Sequence, residues 1–453
     1  MSTEVIAVFD IGKTNKKILL FNKELNVEYE EERKFPEVKD DDGFECDDID
    51  AIEEWLFSTF NKLLADERYD IKGLNFSTYG ASFVYIDREG KRLTPIYNYL
   101  KPMPEGVAEP MYETFGGIDE FSRNTASPAL GFLNSGLQLL WLKKQKPEIF
   151  SKTKHFLHFP QYLSYLITGK AASEYTSIGC HTALWDFDNM KYHPWLKSEG
   201  IELPEPASNS QTFNSAKIDA AIPVGIGIHD SSSSIAPYLI DNNEEFILLS
   251  TGTWCINMNP FNEEPLTKKQ LEQDCLSYMS INQKPVKSSR LFMGHIHDVN
   301  TKKLTHFFNI PENSYKKVVP NKELIKKMQN SGTKFFANDM PKDYIDSKIE
   351  LSQFKSFEEA YHQLMIDLSE LCINAINLII PKEDNIKKLY ISGGFAKNEI
   401  FTTYIATKYS DKKVYTSELD NATALGAAMV IYDVFGSNSK PGLDLGFKKC
   451  LPL

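Results

Sequence analysis

Apolar residues fall in short runs broken by polar turns. Residues 5–21 read VIAVFDIGKTNKKILLF, an apolar run, a polar turn around Gly12 and a second apolar run. That pattern predicts a β-hairpin. Residues 246–258, FILLSTGTWCINM, repeat it around Gly252. Two such hairpins half a chain apart suggest two halves of similar build, and two unrelated hairpins stay open as the alternative. Residues 52–64 place Ile52, Trp55, Leu56, Phe60 and Leu63 at helical spacing. Residues 74–87 read as strand, glycine turn and strand, and 135–144 and 160–166 as helices. A short strand, 221–228, enters a His229-Asp230 corner. Residues 357–380 form a long apolar helix stopped by Pro381. Strand 388–391, a glycine turn, helix 397–408 and a closing helix 421–435 follow. Strands alternating with helices predict an α/β fold. A polar run at 241–245 suggests a division into residues 1–238 and 239–453.

Composition narrows the function. Fifty Lys+Arg against 62 Asp+Glu give a net charge of −12. With 42% hydrophobic and 25% charged residues, the chain is an ordinary folded protein. No net basic field attracts a nucleic-acid backbone, so nucleic acid is not an expected partner. A small anion in a local site stays open. No signal segment and no apolar run long enough to span a membrane are read, so no membrane partner is expected. The six cysteines are scattered without a Cys-x-x-Cys pair, as for reduced thiols in a cytoplasm.

Four features carry candidate chemistry. Asp10-Ile-Gly12-Lys13-Thr14-Asn15-Lys16-Lys17 leaves the first apolar run. Gly12 permits close backbone approach, Thr14 and Asn15 offer hydrogen bonds, the lysines can neutralise phosphate, and Asp10 can hold hydrated Mg²⁺. A tight hairpin with solvated lysines is the plain alternative. Ser250-Thr251-Gly252-Thr253 suits phosphate oxygens or generic turn chemistry. Ser392-Gly393-Gly394 to Asn398 joins a strand to a helix, where a flat ring can lie on backbone. It is neither a dinucleotide fingerprint nor a Walker loop. Asp230 can take a proton from an attacking hydroxyl, or simply cap the helix after it. His295 and His297 alternate like two metal ligands on a strand, but no further ligand is evident. His155 and His158 lie among aromatic residues and read as packing.

The order of these four features resembles the FGGY family of carbohydrate kinases, of the actin/hexokinase/heat-shock ATPase superfamily. That family has a D-x-G-T-type first phosphate hairpin, an acidic corner, an S-x-G-T-type second hairpin and a glycine-rich adenosine turn. Here these are Asp10-Ile-Gly12, His229-Asp230, Ser250-Thr251-Gly252-Thr253 and Ser392-Gly393-Gly394. The closing segment from Ala422 to Ala428 is also similar. Within the family the chain is most similar to L-rhamnulose kinases. Residues 77–84, STYGASFV, resemble their D-T-W-G-V-D-F-V sugar loop, and residues 156–176 resemble their segment ending in E-Y-T. Tyr79 stands for Trp, Ala81-Ser82 for Val-Asp, and Lys13 for the usual Thr or Ala.

The resemblance implies two actin-like ATPase domains of ribonuclease H-like build with the active site in the cleft between them. It implies ATP and Mg²⁺, and a ketose as the partner; a homodimer is left open. Gly12, Lys13, Thr14, Asn15, Lys17, Thr251, Gly252, Thr253, Gly393, Gly394 and Asn398 would bind nucleotide, and Asp10 the metal. Tyr79, Gly80, Ala81, Ser82, His229 and Asp230 would meet the sugar, with Asp230 catalytic. The expected reaction is phosphorylation of a primary hydroxyl, with L-rhamnulose first and L-fuculose, xylulose or ribulose types as alternatives. A chaperone-type or non-catalytic ATPase of the superfamily is the alternative of another class.

Overall fold

The computed structural model describes residues 2–218, 220–242, 244–336, 345–436 and 440–453. The first apolar run forms the strand Thr3–Ile11, which turns back antiparallel into Lys16–Asn22 with Ile11 opposite Lys16. Val27–Arg33 adds antiparallel beyond it, and Tyr69–Thr78 lies parallel on the inner side. A parallel neighbour needs a crossover. The helix Ile49–Leu64 supplies it, burying Ile52, Trp55, Leu56, Phe60 and Leu63 as their spacing predicts. The strands read as continuous apolar runs because both faces are covered. Val5, Ala7 and Phe9 pack against that helix, and Trp55 meets Phe9 edge-on at 5.2 Å. Ile6, Val8, Leu19 and Phe21 pack against the Ala-rich helix Ala422–Val430.

The second sheet repeats the order. Phe246–Thr251 and Cys255–Asn259 form an antiparallel hairpin, Pro285–Leu291 adds outside it, and Lys388–Gly393 lies parallel inside. Among the described residues each of these two sheets has seven strands and contains its own hairpin. This shared topology favours two halves of similar build over two unrelated hairpins. The halves interlock where Ser233 Oγ donates to the Thr423 carbonyl at 2.7 Å and Asn75 Nδ2 to that of Ala427 at 2.7 Å.

Three sequence expectations change. The closing helix ends at Val430, and a 3₁₀ turn, Tyr432–Phe435, follows. The helix Asp230–Asp241 runs across the expected division at 238/239. His295 and His297 lie on the helix Met293–Phe307 and not on a strand. Two helical residues apart, their side chains diverge by about 200°. His295 stacks on Phe292 while His297 Nε2 sits 3.1 Å from the Tyr361 hydroxyl. No helix among the described residues is long and apolar enough to cross a membrane. All six cysteines are free thiols.

Candidate functional site

The tip of the first hairpin closes where the Gly12 N–H donates to the Asn15 carbonyl at 3.0 Å. Its lysines are all paired. Lys13 Nζ lies 2.8 Å from Glu37 Oε1 and 2.7 Å from Asp47 Oδ2. Lys16 Nζ, fully buried, lies 2.8 Å from Asp47 Oδ1. Lys17 Nζ lies 2.7 Å from Glu30 Oε1 and donates to Asn421 Oδ1 at 3.0 Å. Thr14 is exposed, and Asn15 Oδ1 is buried without a partner. Asp10 sits at the sheet end of this hairpin. Burial and the neighbouring Asp230 carboxylate push its carboxyl up to about 7, against a smaller opposite pull from Lys17. Asp230 is thus near enough to act on Asp10, although the two lie half a chain apart in sequence.

Asp230 is delivered by the short strand Ile228–His229, which runs parallel to Tyr69–Thr78 with His229 opposite Thr78. The helix begins at Asp230, so the N-cap is His229, whose Nδ1 accepts the Ser231 N–H at 3.2 Å. Asp230 Oδ1 also accepts that N–H, at 2.6 Å, and the side chain stays 34% exposed. The helix start is thus capped by His229, with Asp230 sharing the same N–H. Burial holds His229 below the ordinary imidazole range, and its ring lies against Gly80. A Cβ at Gly80 would stand 2.4 Å from His229 Nε2, so this glycine is what lets the 77–83 loop reach the corner.

Sequence reasoning gave Glu174 and Thr176 no role. The His229 N–H donates to Thr176 Oγ1 at 3.0 Å, and that hydroxyl donates to Glu174 Oε2 at 2.6 Å. Glu174 also accepts the Thr176 and Ser177 N–H groups. Burial pushes its carboxyl up to about 7 despite those hydrogen bonds. The chain Glu174–Thr176–His229 fixes the strand that presents Asp230.

The expected sugar loop turns most of its side chains inward. The Tyr79 hydroxyl donates to Asp47 Oδ2 at 2.8 Å. Ala81, at φ 61°, has its carbonyl held by Gln138 Nε2 at 2.6 Å. Ser82 is buried, and its hydroxyl has no partner. Gly80 lies against the His229 ring, next in sequence to Asp230. Tyr99, also missed, packs 6.1 Å from the Tyr79 ring, and burial raises its phenol, with smaller opposing influences from Lys13 and Asp230. Asp47 was hidden in the acidic run ahead of the first helix, and only its three partners reveal it.

On the second hairpin, Thr251 is a pin. Its hydroxyl donates to the Ser392 carbonyl and accepts the Phe395 N–H at 3.0 Å, tying the hairpin to the glycine turn. That occupies the hydroxyl expected to meet phosphate. Gly393, at φ +83°, lies so close that a Cβ would stand 1.8 Å from the Thr251 carbonyl oxygen. Gly252, Thr253, Gly394 and Asn398 share one cavity of about 630 Å³, with His297, Tyr315 and Phe395 in its wall. Asn398 Oδ1 caps the helix Glu399–Lys408, and its Nδ2 donates to the Tyr361 hydroxyl at 2.9 Å. Burial holds His297 below its ordinary range, so it presents a neutral ring to this cavity.

Residues 5–236 match the model for the N-terminal domain of the FGGY family of carbohydrate kinases. The rhamnulokinase of Yersinia pestis (strain Pestoides F) is 29% identical over 247 residues, 52% of this chain and 49% of that protein. The rhamnulokinase of Halalkalibacterium halodurans is 28% identical over 267 residues, 54% of each chain. The chain spans about half the length of the curated relatives it matches. A solved carbohydrate kinase from Novosphingobium aromaticivorans superposes with TM-score 0.80 at 21% identity, covering 99% of this chain and 96% of that one. A ligand-bound xylulose kinase from Lactobacillus acidophilus gives TM-score 0.75 at 16% identity, covering 99% and 94%. The fold is thus the α/β fold of these solved carbohydrate kinases. On the match over residues 5–236, the chain belongs to the FGGY family of carbohydrate kinases.

Proposed function

We propose that this chain transfers the γ-phosphoryl group of ATP to a primary hydroxyl of a ketose, with L-rhamnulose as the first candidate. The observation that carries the reading is Asp230, partly exposed at the end of the strand Ile228–His229, at the head of the helix Asp230–Asp241, and near enough to Asp10 to raise its carboxyl. Residues 1–238 would form the sugar-side domain and 239–453 the nucleotide-side domain, the division better drawn after the helix Asp230–Asp241. Asp230 orients the acceptor hydroxyl and takes its proton. The Gly12 and Gly252 N–H groups close their own turns, so these glycines let phosphate oxygens approach the backbone closely while the Thr253 N–H and the polar side chains of the tips meet them, and Gly394 and Asn398 line the adenosine side. Lys13, Lys17, Thr14 and Asn15 border the phosphates from the first hairpin. Thr251 and Gly393 act by shaping that surface. Positioning and charge stabilisation supply most of the rate. The 27–30% rhamnulokinase relatives support the sugar, and the xylulose and glycerol kinases among the structural neighbours keep other acceptors in view.

The donor set fits a divalent cation, because the partly buried Asp10 carboxylate is raised more by burial and by the Asp230 charge than Lys17 lowers it. Asp10 would hold Mg²⁺, which when bound neutralises phosphate charge. A proton competes for that carboxylate as pH falls below about 7. The Mg²⁺ concentration giving half-maximal ADP release should therefore rise as pH drops from neutrality, by up to about tenfold per pH unit. In Asp10→Asn that rise should vanish. A Mg²⁺ requirement equally flat in the parent contradicts the metal role of Asp10.

The acceptor is tested by ADP release against L-rhamnulose, L-fuculose, L-xylulose, D-xylulose, L-ribulose and glycerol. The highest kcat/KM is expected with L-rhamnulose. A pentulose or glycerol in first place removes that sugar and leaves the kinase reading intact.

A further inference from the structure

We propose that Asp47 is a positioning residue whose carboxylate ties the first hairpin tip to the 77–83 loop, so that nucleotide at one orders the other. The inference rests on the nucleotide-binding role proposed above for that hairpin. Asp47 follows the short strand Glu45–Cys46 and is 6% exposed. Its Oδ1 accepts Lys16 Nζ at 2.8 Å. Its Oδ2 accepts two donors from different elements, Lys13 Nζ at 2.7 Å and the Tyr79 hydroxyl at 2.8 Å. Lys16 Nζ also donates to the Lys13 carbonyl at 2.8 Å, which fixes the turn itself. Lys13 Nζ stands 6.0 Å from the centre of the Tyr79 ring. One buried carboxylate thus joins three side chains, two from the hairpin and one from the loop that meets His229.

A buried ion pair adds little stability over an apolar replacement, so stability alone does not account for two lysines on one buried acid. The two lysines also differ in freedom. Lys16 is 1% exposed and has no other place to go, whereas Lys13 is 24% exposed and shared with the half-exposed Glu37. A phosphate arriving at the hairpin tip competes with Glu37 and Asp47 for Lys13. Each step of that withdrawal leaves Tyr79 a more negative, less shared oxygen at Asp47 Oδ2. A hydrogen bond to an ionised acceptor strengthens as competing positive charge leaves. Nucleotide therefore tightens the loop through Tyr79, and by reciprocity an ordered loop favours nucleotide.

The test is amide hydrogen exchange on the full chain with Mg²⁺ and the non-hydrolysable analogue AMP-PNP as the probe. In the parent, AMP-PNP should slow exchange at residues 252–253 and 394–398, and at 77–83 by on the order of fivefold or more. In Tyr79→Phe, which leaves both lysines on Asp47, the slowing at 252–253 and 394–398 should persist and that at 77–83 should disappear. Asp47→Asn should behave the same way. Should it fail to fold, Tyr79→Phe decides alone. Full protection of 77–83 in Tyr79→Phe overturns the proposal, as does a parent loop that ignores nucleotide while 252–253 responds. No slowing anywhere removes the nucleotide-binding reading and this proposal with it.

Discussion

Asp230→Asn is expected to lower turnover about 10²–10⁴-fold while nucleotide binding stays at the parental level. The amide keeps the shape of the carboxylate and can still accept the Ser231 N–H, so the corner should hold its form. The helix cap belongs to His229, which the substitution leaves in place. What is lost is an acceptor for the proton of the attacking hydroxyl. A second readout comes from Asp10. Asp230 is one of the two influences raising its carboxyl, so Asp10 should titrate closer to the ordinary carboxylate range in the variant. Stopped-flow turnover and carboxyl titration by NMR check the two effects. Near-normal turnover contradicts the role of Asp230.

Gly393→Ala is expected to cost about 2–4 kcal/mol of stability and to abolish tight nucleotide binding. The residue sits at φ +83°, where a side chain is strained, and its Cβ would strike the Thr251 carbonyl oxygen. That oxygen belongs to backbone at the end of a central strand and cannot swing aside. Relief requires the parallel strands Phe246–Thr251 and Lys388–Gly393 to part at their ends. The parting would move Gly252 and Thr253 away from Gly394 and Asn398, which share one cavity wall. Gly394→Ala is the control for stability, because no atom lies within 4 Å of its Cβ position. Thermal melts of the pair and nucleotide titration of Gly393→Ala check it. Equal loss of stability in the two variants contradicts the packing account.

Much of the fold was legible from hydrophobic patterning. The first hairpin and the helix after it follow from spacing, because each element buries one continuous set of residues. Element ends were less legible. The polar run at 241–245 marks the surface and does not mark the end of a helix, so the division fell inside Asp230–Asp241. His295 and His297 alternate as on a strand, but the backbone there is the helix Met293–Phe307, which sends them to Phe292 and Tyr361. For the site, the turns and the acidic corner could be named because glycine and short polar residues are rare in apolar surroundings. The direction of each side chain could not. Thr251 looks like a phosphate hydroxyl and is a pin, and Tyr79 looks like a sugar contact and donates to Asp47. Asp47, Glu174 and Thr176 act through partners distant in sequence, which no local spacing encodes.

The central claim is that phosphoryl transfer goes to a sugar. The direct measurement is the fate of label from γ-³²P-ATP incubated with the protein, Mg²⁺ and L-rhamnulose or each other acceptor in turn. The account predicts label in a sugar phosphate, formed only when an acceptor is present and nearly lost in Asp230→Asn. Label released as inorganic phosphate, at a rate that no sugar changes, would contradict it and favour a chaperone-type ATPase.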